Sequence, residues 1–260
     1  MRPHPKRFDR PGRRPEKIYI YGKHALAEAL AHAPQVVRKV FLSAEAARDG
    51  ALRALLAKTG VPVAELKSKE VRSVGEGAAH QGVIAIADPG ALVRDLKDFM
   101  RVLRPTSETI LVLLDELTDP HNVGAIIRSA AAFGASGVLI PTHHQAPITG
   151  AVVKASAGMV FRVPIISVGN VNYAIDALKG AGFETYALAM DGASDVSETP
   201  FEAPALIIVG NEGAGIRQKT MERSDVTLRI PMDPRCESLN ASVSAAIVLY
   251  AWSKKHQGGN

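Results

Sequence analysis

Apolar and polar positions along this chain switch between helical and strand periods, and the switches outline its elements. Residues 24–33 (HALAEALAHA) read as a helix, 36–43 (VVRKVFLS) as a strand, and 44–60 (AEAARDGALRALLAKTG) as a helix closed by Gly60. A strand at 61–66 (VPVAEL), a polar helical stretch and an apolar strand at 82–88 (GVIAIAD) complete a small α/β domain, residues 18–88. Residues 89–107 open on Pro89-Gly90, carry the amphipathic run ALVRDLKDFMRVL and end at Pro105-Thr106-Ser107, the pattern of a linker with one helix. A second domain follows over 108–257. Its strands are expected at 109–117, 137–141, 163–168, 184–190, 205–210 and 226–232, mostly separated by helices, with a long closing helix over 241–256. Continuous apolar strands with intervening helices imply an α/β fold whose parallel sheet is buried on both faces.

Composition changes this picture in one place. The chain has 260 residues, 47% hydrophobic and 22% charged, ordinary values for a globular protein. Its net charge of +5 is concentrated in residues 1–17, which hold seven Lys or Arg and two Asp or Glu, leaving 24 basic and 24 acidic residues elsewhere. Such an arm buries little apolar surface and is expected to be disordered when free. It either lies along phosphates or serves as a solubilising tail. No apolar run is long enough to span a bilayer, and the N-terminus lacks the apolar stretch of a secretory signal. With the single cysteine, Cys236, this points to a cytoplasmic protein without a membrane partner.

Candidate chemistry gathers in three loops of the second domain, each after an expected strand and before a helix, where open α/β sheets bind ligands. The first runs Asp119-Pro120-His121-Asn122-Val123-Gly124, with Arg128 six residues beyond Asn122 on the helix that follows, near enough for both to face one site. The second is Gly210-Asn211-Glu212-Gly213-Ala214-Gly215, whose glycines admit close backbone approach to a ligand, though a glycine-rich turn is equally a plain turn. The third leads from Ile230-Pro231-Met232 to Ser238-Leu239-Asn240. There Ser238 and Asn240 also fit ordinary helix caps.

Taken together and in order, Asn122 to Ala130, Ile208 to Gly215 and Ile230 to Ser242 resemble the three motifs of the SpoU family of RNA 2′-O-ribose methyltransferases. Lys154-Ala155-Ser156-Ala157-Gly158, followed by Val163-Pro164, is also similar. In the first domain, residues 21–30 and His80-Gln81-Gly82-Val83 resemble the RNA-binding domain of the branch acting on guanosine of 23S rRNA. The resemblance implies a second domain with a deep trefoil knot, a homodimer with the site near the dimer interface, and S-adenosylmethionine as cofactor. It implies Arg128, Asn122, Glu212, Ser238 and Asn240 as catalytic residues and Gly210, Gly213, Ile230, Met232 and Leu239 as cofactor contacts. Arg128 is either a general base or a clamp on the adjacent phosphate, although a guanidinium rarely surrenders its proton. The same chemistry on tRNA or another rRNA site is the alternative. A non-catalytic RNA-binding assembly factor is the rival from another class.

Other features are read as incidental. Cys236 is expected to be inert, since oxygen methylation needs no thiol. His121, His143 and His144 lack partners at metal spacing, so no metal site is expected. The glycines near Gly75 and Gly82 precede a strand, the wrong context for a nucleotide loop. His24 and Glu28 are expected to form a surface i, i+4 pair. Tyr250 and Trp252 are expected in the core or a dimer interface.

Overall fold

The computed structural model describes residues 17–75, 79–211 and 213–256. All but the last residue of the basic arm, together with Glu76, Gly77 and Glu212, lies outside them. The described residues form two sheets. The first has the order β1 (Ile18–Tyr21), β4 (Val83–Ala87), β2 (Val37–Leu42), β3 (Val63–Glu65), antiparallel except for the β2–β3 pair. Helices α1 (Lys23–His32) and α2 (Gly50–Thr59) cover one face, and α3 (Ser68–Val74) lies against β1. Strand β1 was not among the expected elements: IYIY follows directly on the charged arm, so no turn signal marks its start. Helix α2 is shorter than expected. Asp49 caps its N-terminus by accepting from the Leu52 N–H at 3.2 Å, and Gly60 ends it in the left-handed conformation.

The second sheet is parallel throughout, in the order β10 (Ser194–Asp195), β12 (Val226–Arg229), β9 (Glu184–Leu188), β11 (Ala205–Gly210), β6 (Ile110–Asp115), β7 (Gly137–Pro141), β8 (Ile165–Val168), β5 (Val93–Asp95). The region expected as a linker holds its helix, α4 (Leu96–Val102), and also strand β5, which pairs with β8. Alternation along β6 shows why the strands read as continuous apolar runs. Ile110, Val112 and Leu114 enter one core, while Leu111 and Leu113 enter the other. Helices α5 (Pro120–Ala132), α6 (Gly150–Ala155) and α9 (Ala241–His256) contribute Val123, Ile126, Val152, Val248 and Trp252 to the first core. Phe99 of α4, Ile175 and Leu178 of α7 (Val171–Gly180) and Met221 of α8 (Gln218–Met221) pack on the other side. Each such aliphatic side chain, fully buried, contributes about 1.5–3 kcal/mol.

The two sheets are joined by more than the chain between them. Glu28 of α1 is 8% exposed and accepts two hydrogen bonds from Arg162, from Nε at 2.6 Å and from Nη2 at 2.9 Å. This corrects the expected surface pair with His24. Hydrogen bonding from Arg162 holds the Glu28 carboxyl below the usual carboxylate range, and His32 stands 3.7 Å away on the same helix. Spacing within one helix did not reveal a partner 134 residues distant.

Candidate functional site

The three loops singled out in the sequence leave the carboxyl ends of β6, β11 and β12, on one edge of the parallel sheet. Two of them border a cavity of about 390 Å³. All five proposed cofactor contacts, Gly210, Gly213, Ile230, Met232 and Leu239, line it, as does Ser238. A fourth segment, Leu188 to Asp191 after β9, also lines it and went unnoticed, since it carries no glycine cluster or cap. The volume lies within the range of small-molecule sites, and the apolar walls from Val209, Ile216, Ile230 and Leu239 suit a partly apolar ligand.

Gly210 is required by its surroundings. A Cβ there would stand 2.4 Å from the Gly215 carbonyl carbon and 2.5 Å from the Ile216 nitrogen, both backbone atoms. The loop folds back this tightly because Asn211 and Gly215 exchange two backbone hydrogen bonds, of 3.0 and 2.9 Å. The Asn211 side chain adds three more contacts. Its Oδ1 accepts from the Gly213 and Ala214 N–H groups at 2.9 and 3.1 Å, and its Nδ2 donates to the Glu116 carbonyl at 2.8 Å.

Beneath the loop lies an ion pair that the sequence did not suggest. Asp115, the last residue of β6, is completely buried, and Arg217 closes over it. The Arg217 N–H donates to Oδ2 at 3.1 Å and Nε to Oδ1 at 2.8 Å, while Nη1 stands 3.1 Å from Glu116. Glu116 adopts a φ of 63°, a left-handed conformation that bulky residues rarely take. The pair thus ties the end of β6 to the end of the glycine-rich loop. Its only sequence trace is a carboxylate closing an otherwise apolar strand, with an arginine one hundred residues later.

Asn240 caps a helix and also reaches the first loop. Its Oδ1 accepts from the Ser242 N–H at 2.9 Å, capping α9, and its Nδ2 donates to Asn122 Oδ1 at 3.0 Å. The first and third loops are therefore in direct contact. Asn122 is buried in the first turn of α5. Arg128 is exposed and, among the described residues, has no carboxylate partner. Six residues at 100° each set it about 120° from Asn122 around the helix axis. Ala125 and Ser129 of the same helix belong to a shallow, largely apolar patch with Val243, Ala246, Ile247 and Tyr250. Glu212 lies outside the described residues. Cys236 is exposed in the third loop, and Asp233 there is held below its ordinary range by the side chain of Arg235. Among the described residues no group of three or more His, Cys, Asp or Glu is arranged to hold a metal ion, and no helix is long and apolar enough to cross a membrane.

A glycine-lined cavity at the carboxyl edge of a parallel sheet, with asparagines meeting beside it, defines an α/β protein with a small-molecule site. Residues 109–250 match the model of the SpoU rRNA Methylase family, and residues 19–92 match that of an RNA 2′-O ribose methyltransferase substrate-binding domain. The chain is 32% identical to the 23S rRNA (guanosine-2′-O-)-methyltransferase RlmB of Pseudomonas putida, covering 92% of this chain and 96% of that one. It is 31% identical to an uncharacterized tRNA/rRNA methyltransferase of Mycoplasma pneumoniae, covering 91% and 97%. Its fold is similar to that of the SpoU methyltransferase AviRb from Streptomyces viridochromogenes in complex with AdoMet. The TM-score is 0.81 at 26% identity, over 94% of this chain and 92% of that one. The chain belongs to the SpoU family of RNA 2′-O-ribose methyltransferases.

Proposed function

We propose that this chain methylates the ribose 2′-hydroxyl of a guanosine in 23S rRNA, using S-adenosylmethionine held in the cavity at the carboxyl edge of the sheet. The observation that carries this reading is the convergence of Gly210, Gly213, Ile230, Met232 and Leu239 on that cavity, beside the Asn122–Asn240 bond. The cofactor supplies an electrophilic methyl group on a sulfonium centre. The protein's task is then to orient a ribose oxygen, accept its proton and limit water. Arg128 is charged and exposed, and a guanidinium keeps its proton in almost any setting, so its assigned role is to grip the phosphate beside the reacting ribose. Asn122, Asn240 and Ser238 position the hydroxyl, and Glu212 is assigned to the same group through its place in the second motif. The guanosine and the 23S rRNA rest on the likeness to the P. putida enzyme and its branch, and action on ribosomal RNA assigns the protein to the cytoplasm. Incubated with S-adenosylmethionine and digested to nucleosides, 23S rRNA is expected to yield 2′-O-methylguanosine. A 2′-O-methylated pyrimidine would overturn the branch, and a methylated base would overturn the reaction. Calorimetry with S-adenosylmethionine separates the enzyme from a non-catalytic assembly factor, which would show no binding.

The same reading includes a homodimer and a trefoil knot. The patch on α5 and α9 leaves Val243 and Tyr250 45% and 53% exposed, an apolar surface that a second copy would cover. The first sheet and the linker take no part in it. The knotted path is what the family resemblance implies. Sedimentation is expected to give twice the monomer mass for the wild type and the monomer mass for Val243→Asp. A monomeric wild type would overturn the dimer.

A further inference from the structure

The tyrosines of β1 point away from the first core, because strand alternation sends Ile18 and Ile20 inward and Tyr19 and Tyr21 outward. Both are ringed by lysines. Lys17 Nζ stands 5.7 Å from the centroid of the Tyr19 ring, and Lys154 Nζ of α6 stands 5.4 Å from that of Tyr21. From α3, Ser73 hydrogen-bonds the Tyr19 hydroxyl and Lys69 adds a third positive charge; Ser73, then Lys17, then Lys69 hold that hydroxyl below its ordinary range. Among the described residues none of Lys17, Lys69 and Lys154 has a carboxylate within salt-bridge distance. Three uncompensated cations and two half-buried aromatic rings therefore share one seam between the domains.

The seam is continuous with the site. A Cβ on Gly150, the first residue of α6, would stand 2.4 Å from the Tyr19 carbonyl oxygen, so β1 and α6 touch backbone to backbone. Helix α6 packs in turn on α5, with Val152 and Ala155 against Gly124, two residues past Asn122. The basic arm joins the fold at Lys17, the first cation of the seam.

We infer that the β1–α6 seam, formed by Lys17, Tyr19, Tyr21, Lys69 and Lys154, is a track for single-stranded RNA leading from the first domain to the Asn122 end of the site. The ammonium groups meet phosphates while the tyrosine rings stack on splayed bases or riboses, a combination that suits an unpaired strand and not the closed stack of a duplex. The track rests on the reading of the chain as an RNA methyltransferase, and it assigns a substrate contact, Lys154, to the catalytic domain.

The test uses the full chain and a 23S rRNA transcript that the wild type methylates, with binding followed as a function of salt. Exchanging Lys17, Lys69 and Lys154 together for Gln is expected to weaken binding at least tenfold. It should also flatten the slope of log affinity against log salt by about 2, since each single-strand phosphate contact contributes about 0.7. Gln at Lys58, Lys97 and Lys254, equally exposed and remote from the seam, is expected to leave the slope unchanged. Tyr21→Ala should weaken binding roughly tenfold or more at an unaltered slope, the signature of lost stacking, and Tyr21→Phe should restore it. Calorimetry with S-adenosylmethionine checks that each variant is folded, and Lys154→Gln alone gives the reading if the triple exchange fails that check. Equal slopes for seam and control variants, with methylation by the wild type intact, would overturn the track and leave the enzyme assignment standing. A wild type that methylates no RNA would overturn both.

Discussion

Arg128→Ala is expected to lower methyl transfer by at least ~100-fold, the usual consequence of deleting a group that stabilises a transition state electrostatically, while S-adenosylmethionine binding stays unchanged. The two effects separate because Arg128 does not line the cavity that Gly210, Ile230 and Leu239 enclose. Stability should also stay close to wild type. The side chain is exposed, and among the described residues no carboxylate is left unpaired when it is removed. Lysine at this position is expected to recover only part of the rate, because a point charge cannot reproduce the two-pronged grip of a guanidinium on a phosphate. Single-turnover methylation with saturating cofactor measures the chemical step directly. Near-normal turnover by the alanine variant would remove Arg128 from the catalytic group.

Arg217→Met should act in the opposite way, on the fold and the cofactor together. Asp115 is fully buried, and in the variant its carboxylate keeps only the backbone N–H of residue 217 from the contacts Arg217 now makes. Stranding a buried charge costs about 3–5 kcal/mol. Because 44% of the Arg217 side chain faces water, part of that is recovered by hydration, and the expected loss lies at the low end. Denaturant unfolding measures it. The same substitution frees the end of the glycine-rich loop, so the affinity for S-adenosylmethionine is expected to fall by tenfold or more at temperatures where the variant is still folded. Asp115→Asn with Arg217→Met removes both charges and should recover much of the stability, since the uncompensated carboxylate is gone. An Arg217→Met chain as stable as wild type, with unaltered cofactor affinity, would show the clasp to be dispensable.

Periodicity and local chemistry alone outlined the class of fold. Six strands of the second sheet and helix α9 lie within the spans where apolar runs and spacing placed them; in the central strands, such as β6 and β11, burial on both faces makes nearly every position apolar. Strands β1, β5 and β10 were not expected: IYIY follows directly on the charged arm, and VRD and SD carry charged residues and no apolar run.

The site divides along the same line. Glycine-rich and cap-like motifs marked the second and third loops, since turn geometry and orphan helix N–H groups demand those residue types wherever they occur. Their order along the chain supported the family resemblance. Only the tertiary structure decided that these loops enclose one cavity with Leu188 to Asp191, that Asn122 meets Asn240, and that Asp115 is held by Arg217 and Glu28 by Arg162. The physical reason is common to all of these. Hydrogen bonds and ion pairs between residues a hundred or more positions apart act over a few ångströms, so their partners are chosen by how the sheet order folds the chain and not by anything in the neighbouring sequence.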